Sequence, residues 1–296
     1  MVGLIIRGSR ESRFTLDRES GSELLDRLTA ANVAQGMEPL RLLVVVAHPD
    51  DEAIGAGSLL RGYPTAKIAH VTDGGGADQA SATARGFATR SEYSLARQRE
   101  VLAALSLVGI AESQVRCLGI PDGEAGHRLL DVSRLVMDLL DEVRPDVVLT
   151  HPYEGGHSDH DAAAFAVHMA AGLLRRDGVA PLVLELTSYH DRDGVRVRGD
   201  FLPAPDVPEC RVLLGEEERE LKRRMLSAFT SQEDVVRPFP LDVERFRIAP
   251  RYVFTEPPHS GTLGYERRCV RISGAEWRQM AEHALASLRA RRRRGD

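Results

Sequence analysis

The sequence predicts an α/β fold, a Rossmann-like, mostly parallel sheet covered by helices on both faces and followed by a C-terminal elaboration. A short valine-rich apolar run at 42–47 is typical of a strand that is buried on both faces of a parallel sheet, and D-V-V-L-T at 146–150 predicts another strand. Between them, residues 131–143 repeat valine and leucine at helical spacing, which predicts a helix with one apolar face. The repeated alternation of strand and helix favours the parallel arrangement.

The predicted elements follow one another closely from residue 40 onward, whereas earlier signals indicate only a short helix over 20–28. We expect strands at 42–47, 67–72, 114–118, 146–150 and 182–189. We expect helices at 53–60, 91–107 with Ser91 as N-cap, 131–143, 161–175, 216–229 and 275–291. Residues 235–264 hold five prolines and are predicted to be irregular. We therefore expect one domain, 1–296, with its core at about 40–190 and an elaboration at 190–296.

Composition places the chain among globular proteins and argues against several classes of partner. Of the 296 residues, 43% are hydrophobic and 28% charged, and the net charge of -5 gives no basic field for nucleic acid. The arginines at 291–294 are interpreted as a solvated helix end. Three separated cysteines without a C-x-x-C motif indicate a reducing compartment, and we expect the cytoplasm. We expect no secretory signal and no membrane span, which would need about 20 apolar residues.

Ionisable side chains cluster where the first strand ends. His48, Asp50, Asp51 and Glu52 follow the apolar run directly, at the carboxyl edge where open α/β sheets bind ligands. Burying so many ionisable groups is costly unless a partner such as a divalent metal offsets the cost. The alternative is a polar strand end in which Asp50 or Asp51 caps the next helix.

A second cluster follows the fourth strand and favours the metal. That strand also ends in histidine and proline, and His157 and His160 come shortly afterwards. A catalytic zinc keeps three protein ligands and an open position, a count that His48, Asp51 and His160 fit. Asp50 would then take a proton from water and His157 would donate to an oxyanion or a leaving amine. The alternative is that the two histidines only cap a helix or satisfy core polar groups. That alternative could account for a single cluster, but two clusters on equivalent strand ends favour a metal site.

These motifs resemble the PIG-L/LmbE-like family of zinc-dependent N-deacetylases. The main signatures are A-H-P-D-D-E at 47–52 and H-S-D-H at 157–160, in that order. Supporting similarities are T-D-G-G-G at 72–76, R-Q-R-E at 97–100, L-G-I-P-D-G at 118–123 and L-K-R-R-M-L-S-A-F-T-S-Q at 221–232. The resemblance covers about residues 40–235.

The resemblance implies hydrolysis of an N-acetyl or other N-acyl amide on a 2-acetamido sugar or sugar conjugate, releasing acetate and a free amine. The expected partner is therefore a small N-acetylated sugar or conjugate, with no nucleic acid and no membrane. A zinc amidase that cleaves a larger amide conjugate is the alternative enzyme. A sugar-binding module with a decayed site is the non-enzymatic alternative, and the complete set of candidate ligands and proton-transfer groups argues against it.

The resemblance also implies roles for individual residues. One zinc ion per chain would be held by His48, Asp51 and His160. Asp50 resembles the general base, His157 the group that stabilises the oxyanion and protonates the amine, and Asp159 the carboxylate that tunes His157. Arg97 and Asp122 resemble residues that contact the substrate, although Arg97 could instead pair with a neighbouring helix and Asp122 could instead shape the P-D-G turn.

Overall fold

The computed structural model describes Leu25, Leu28 and residues 40–176, 180–204, 206–268 and 271–294. Apart from Leu25 and Leu28, the helix predicted at 20–28 lies outside these residues. The strands are β1 (Leu42–Val46), β2 (Lys67–Thr72), β3 (Val115–Ile120), β4 (Val147–Thr150), β5 (Leu182–Leu186), β6 (Tyr189–Arg192), β7 (Val195–Arg198), β8 (Glu209–Leu213) and β9 (Val243–Ile248). The helices are α1 (Asp51–Leu60), α2 (Gln79–Ala84), α3 (Arg90–Ser106), α4 (Leu129–Val143), α5 (Ser158–Arg176), α6 (Glu216–Ser227), α7 (Glu233–Val236), α8 (Gly264–Arg268) and α9 (Gly274–Arg294). None of the helices described is both long enough and apolar enough to cross a bilayer.

Seven strands form one sheet in the order β3-β2-β1-β4-β5-β9-β8, and β6 pairs separately with β7. Strands β1 to β5 are parallel, whereas β9 is antiparallel to both β5 and β8. The predicted fold class is confirmed. In the register of β1 with β4, Val45 lies opposite Thr150, so the segments that follow these strands leave the same edge of the sheet.

The apolar core lies on both faces of the sheet, which explains the uninterrupted apolar run of β1. Successive side chains of a strand point to opposite faces. Leu43 and Val45 accordingly pack in the cluster formed with α4, α5 and α9. Val44 and Val46 pack on the other side, in the cluster that includes residues of α1, α3 and α6. A strand with helices on both sides therefore needs no polar residue along its length.

The structure differs from the sequence prediction in the C-terminal part of the sheet. The prediction that 235–264 is irregular is wrong for β9, whose sequence V-E-R-F-R-I is paired on both sides. The strand could not be predicted from its apolar pattern, because it contains charged residues. Glu244 and Arg247 are buried against partners that are distant in sequence. The predicted fifth strand is divided into β5 and β6. The N-cap of α3 is Thr89, which forms a capping box with Glu92, rather than Ser91.

Glu244 of β9 also forms hydrogen bonds with the helix that starts at the predicted metal-ligand motif. Helix α1 is kinked at Ala56, whose φ of -145° is not helical, and the kink frees backbone donors in the next turn. The N–H of Ser58 donates to Oε1 of Glu244 at 2.8 Å and that of Leu59 donates to Oε2 at 3.1 Å. The Nζ of Lys222 completes the cluster at 3.1 Å from Oε1. The C-terminal strands are thus bonded directly to the first βα unit.

Candidate active site

Two turns at the carboxyl edge of the sheet carry the predicted metal ligands. After β1, the chain turns at Pro49 and enters α1, so that the N–H of His48 donates to Oδ2 of Asp51 at 2.8 Å. After β4, a loop leads into α5, which places His160 in the first helical turn. Because β1 and β4 are neighbours in the sheet, the two turns meet.

The structure brings the three predicted ligands together. His48 Nδ1 lies 3.2 Å from His160 Nε2 and 3.4 Å from Asp51 Oδ2, and His160 Nε2 lies 3.5 Å from Asp51 Oδ1. Donors about 2.0 Å from a tetrahedral zinc ion are separated by roughly 3.3 Å, so these atoms fit such an ion. All three residues are buried. The cluster has the donor types and the spacing of a zinc site.

The electrostatics of two of these residues suit a metal ligand. Burial would raise the pKa of Asp51, but His160 and His151 hold it well below its usual range. Burial lowers the pKa of His160 far below that of a free imidazole, although Asp51 opposes the shift. A carboxylate and a neutral imidazole are the forms that bind a cation.

The second nitrogen of His48 faces two carboxylates. Its Nε2 lies 3.2 Å from Asp122 Oδ1 and 3.4 Å from Asp159 Oδ2. Burial would lower the pKa of His48, but these carboxylates and Asp51 hold it well above its usual range. A carboxylate on the far nitrogen of a metal-binding histidine fixes the orientation of its ring. Asp122, predicted to contact substrate, therefore lies beside His48, a predicted metal ligand, and its Oδ2 accepts a hydrogen bond from the N–H of Gly76.

Asp159 is engaged by backbone donors of the loop that follows β3. Its Oδ2 accepts from the N–H of Gly123 at 2.7 Å, and its Oδ1 accepts from that of Ala125 at 3.1 Å. Its link to His157 runs through the main chain, because the N–H of Asp159 donates to Nδ1 of His157 at 3.1 Å. The N–H of Asp159 thus fixes the ring of His157, while its carboxylate charge opposes the lowering of the His157 pKa by burial.

His157 lies at the opening of the cluster and is only partly buried. Because Nδ1 accepts a hydrogen bond, Nε2 carries the proton in the neutral ring. Its ring stands edge-on to that of His48, with centroids 4.8 Å apart. Burial and the neighbouring His48 lower its pKa, which favours the neutral donor form.

Asp50 is held by Arg97, a residue of α3. Arg97 Nη2 donates to Asp50 Oδ2 at 2.9 Å and to the carbonyl oxygen of Pro49 at 2.8 Å. Burial raises the pKa of Asp50 to about 7, although Arg97 opposes the shift. Asp50 is therefore oriented beside the ligand cluster with a pKa suited to a general base near neutral pH.

One member of the cluster, His151, was not assigned a role from the sequence. It is fully buried, and its ring stacks on that of His160 with centroids 4.0 Å apart. Its Nε2 accepts from the N–H of Ala47 at 3.1 Å and lies 3.2 Å from Asp51 Oδ2. Asp51, His151 and His160 form one of three sets with metal-ligand spacing among the described residues, the others being His48 with His157 and His160, and His48 with Asp122 and Asp159. Its signal in the sequence is the histidine-proline pair that follows both strands.

Comparisons with known proteins find similarity to deacetylases. A family model described as PIG-L, GlcNAc-PI de-N-acetylase, matches residues 43–171. A probable N-acetyl-alpha-D-glucosaminyl L-malate deacetylase 2 of Bacillus cereus is 28% identical over 173 residues, which cover 56% of this chain and 73% of that protein. A 1D-myo-inositol 2-acetamido-2-deoxy-alpha-D-glucopyranoside deacetylase 1 of Catenulispora acidiphila is 29% identical over 187 residues, which cover 52% of this chain and 58% of that protein.

Solved structures support the fold. A zinc-inhibited form of the teicoplanin deacetylase Orf2 superposes with a TM-score of 0.56 at 18% identity, covering 72% of this chain and 99% of that one. The resemblance predicted from the sequence motifs is confirmed, and the relatives are deacetylases, as that resemblance implies. The match to the PIG-L family model runs through residues 43–171, from β1 into α5.

Proposed function

We propose that the protein is a zinc-dependent N-deacetylase that hydrolyses the acetamide of a 2-acetamido sugar or sugar conjugate to acetate and a free amine. The observation that carries the proposal is the convergence of the nitrogen and oxygen atoms of His48, Asp51 and His160 to within 3.5 Å of one another, beside a buried Asp50. The deacetylases among the relatives support the same reaction, and two of them are named for N-acetylated glucosamine conjugates.

One zinc ion per chain, held by His48, Asp51 and His160, would polarise the amide carbonyl and lower the pKa of a water molecule. We prefer this set to the one that contains His151, because the Nε2 lone pair of His151 already accepts the N–H of Ala47. His151 then positions the ligands by stacking on His160. Asp122 and Asp159 act on His48 in the same indirect way, through its Nε2.

Asp50 and His157 would divide the proton transfers and the charge stabilisation between them. Asp50 accepts the proton of the attacking water. The family resemblance implies that His157 protonates the amine, but because a neutral His157 has no acidic proton to transfer, we assign this step to Asp50, which passes the water's proton to the amide nitrogen as the amine leaves. The neutral His157 donates a hydrogen bond from Nε2 to the carbonyl oxygen as negative charge develops there. Water thus supplies the hydroxyl of the acetic acid product, which ionises to acetate, and the added proton of the amine, and both residues return to their starting states.

The expected substrate contacts and the expected location of the protein are also part of the proposal. Contact of Arg97 and Asp122 with the substrate rests on the family resemblance, and each also has the protein contacts described above. The cytoplasm is the proposed location, in keeping with Cys117, whose thiol is free.

The test is metal content and acetate release measured on the same protein. Zinc per chain is determined by elemental analysis, before and after chelation and reloading. Acetate release is then measured with N-acetylglucosamine and its α-linked conjugates, including those of malate and inositol. We expect one zinc per chain and acetate release that is lost on chelation and restored by zinc. A zinc-loaded protein that releases acetate from none of them, but cleaves longer N-acyl conjugates, would replace the deacetylase by an amidase.

A further inference from the structure

The hairpin formed by β6 and β7 lies against the candidate metal centre. The ring of Tyr189 contacts that of His160, with centroids 5.1 Å apart. In the hairpin register, Tyr189 lies opposite Arg198 and Asp191 lies opposite Arg196. Because side chains alternate along each strand, these four residues share the face that meets the metal centre.

The positive charges on this face exceed the negative ones. Asp191 is its single carboxylate, and it pairs with Arg268 at 2.5 Å and with Arg267 at 3.8 Å. In the described part of the chain, no carboxylate oxygen lies within 4.0 Å of the guanidinium nitrogens of Arg196 or Arg198. Two guanidinium groups are therefore left without an acidic partner beside the site.

Arg196 is the better placed of the two. Its Cζ lies 4.4 Å from the centroid of the Tyr189 ring, so that Arg196, Tyr189 and His160 follow one another in contact. Its Nε is buried and has no hydrogen-bond acceptor among the residues described. Burial lowers the pKa of this arginine, and Arg268 and Arg198 lower it further, whereas Tyr189 and Asp191 oppose the shift.

An arginine in this position favours the binding of an anion. The guanidinium stays charged in proteins, and a partly buried charge without an acceptor is unfavourable. Stacking on tyrosine orients its planar fork, which matches two oxygens of a carboxylate or a phosphate. Because Tyr189 lies between Arg196 and His160, the guanidinium of Arg196 is farther from the proposed zinc ligands than Tyr189 is. An anion bound there would belong to a group attached to the sugar and not to the acetamide.

We infer that Arg196, assisted by Arg198, forms an anion-binding subsite, and that the substrate is an N-acetylated amino sugar whose attached group carries a carboxylate or a phosphate. The inference rests on the proposed function and deepens it by naming the substrate class. It assigns the choice among conjugates to the β6–β7 hairpin, which lies beyond the region matched by the family model.

The first test compares three probes on the zinc-loaded enzyme. They are N-acetylglucosaminyl malate with two carboxylates, N-acetylglucosamine 1-phosphate, and the neutral methyl N-acetyl-α-glucosaminide. We expect kcat/KM to favour at least one anionic probe over the neutral one by about tenfold or more, the scale of a charged hydrogen bond. Arg196→Gln should lower that ratio by a similar factor. Arg192→Gln, on the opposite face of the same hairpin, should leave the ratio unchanged.

The second test needs no turnover and separates the two proposals. Glucosaminyl malate, glucosamine 1-phosphate and methyl α-glucosaminide are titrated calorimetrically into wild type, Arg196→Gln and Arg192→Gln. Tighter binding of an anionic probe, lost only in Arg196→Gln, supports the subsite even if no probe is hydrolysed, in which case the deacetylase proposal alone fails. Equal anionic preference in wild type and Arg196→Gln, or no preference in wild type, overturns the subsite even if acetate is released.

Discussion

Arg97 and Asp50 form a buried ion pair in which Nη2 lies 2.9 Å from Oδ2. The same nitrogen donates to the carbonyl oxygen of Pro49 at 2.8 Å, so one guanidinium fixes both the turn after β1 and the side chain of the proposed base. The contact of Arg97 with substrate, expected from the family resemblance, stays a prediction. The contact with Asp50 gives Arg97 a positioning role that can be tested separately.

Replacing Arg97 by glutamine should move the acid limb of the kcat/KM profile to higher pH. Asp50 acts as a base only when ionised, so activity rises with pH through its pKa. Arg97 lowers that pKa, which burial raises. Removing its positive charge therefore lets the pKa of Asp50 rise, and activity appears only at higher pH. The measurement is kcat/KM between pH 5 and 9.

Arg97→Lys is the matched control, because it keeps the charge and alters the hydrogen bonds. Its acid limb should lie closer to that of wild type. A glutamine variant with a higher KM and an unchanged acid limb would mean that Arg97 binds the substrate and does not lower the pKa of Asp50.

Replacing Asp50 by asparagine should separate catalysis from metal binding. The variant keeps the size of the side chain and removes the base, so we expect zinc to be retained and kcat to fall by about 10²-fold or more. Zinc content and turnover are measured on one preparation. Loss of zinc together with activity would make Asp50 a ligand. Near-normal turnover with zinc retained would place the base elsewhere.

Alanine variants of the two stacked histidines should differ in their effect on zinc. His160→Ala removes a proposed ligand and should abolish stoichiometric zinc. His151→Ala removes a neighbour of the ligands and should weaken zinc affinity by roughly 10- to 100-fold, the scale of outer-shell partners. Competition with a chromogenic chelator measures both, and circular dichroism shows whether the variants are folded. If His151→Ala is metal-free and His160→Ala retains one zinc, Asp51 and His151 belong to the ligand set and His160 does not.

Gly156→Ala should destabilise the fold at the junction between the His157 loop and the hairpin. A Cβ at Gly156 would collide with the carbonyl oxygen of Tyr189, and a backbone atom cannot turn aside as a side chain can. We expect a loss of about 3 kcal/mol or more in the free energy of unfolding. Gly172→Ala is the control, since a Cβ there meets nothing within 4 Å on an exposed part of α5. It should gain up to about 1 kcal/mol, as alanine favours a helix over glycine. Urea unfolding curves of both variants measure the difference, and equal stability would contradict the collision.

The parts of the structure that could be predicted are those in which local pattern and tertiary environment agree. Strands β1 and β4 are buried throughout, and apolar except for Thr150, because helices cover both their faces, so each could be predicted from its own sequence. The meeting of His48 with His160 followed from parallel pairing, which sends both strand ends to one edge. His151 occupies the position after β4 that the same reasoning should have identified.

The parts that could not be predicted depend on partners far away in the chain. In β9, Arg247 is buried because Glu185 accepts from its Nε at 2.7 Å, and nothing near residue 247 indicates that partner. The pairing of Arg97 with Asp50 is equally a product of tertiary structure. Local sequence shows only that such residues are charged. Because most charged residues are exposed to solvent, a charged residue is predicted to be exposed unless its partner is known.

The bond between Glu244 and the kinked helix α1 has a consequence for the order in which the molecule matures. Ser58 lies 186 residues ahead of Glu244, so a ribosome has made the whole ligand set before it makes this brace. Until β9 emerges, the donors freed by the kink have only water as a partner, and the helix that begins with Asp51 is not yet held. The part of the fold that carries the predicted ligands is therefore completed late, by a strand that contributes none of them.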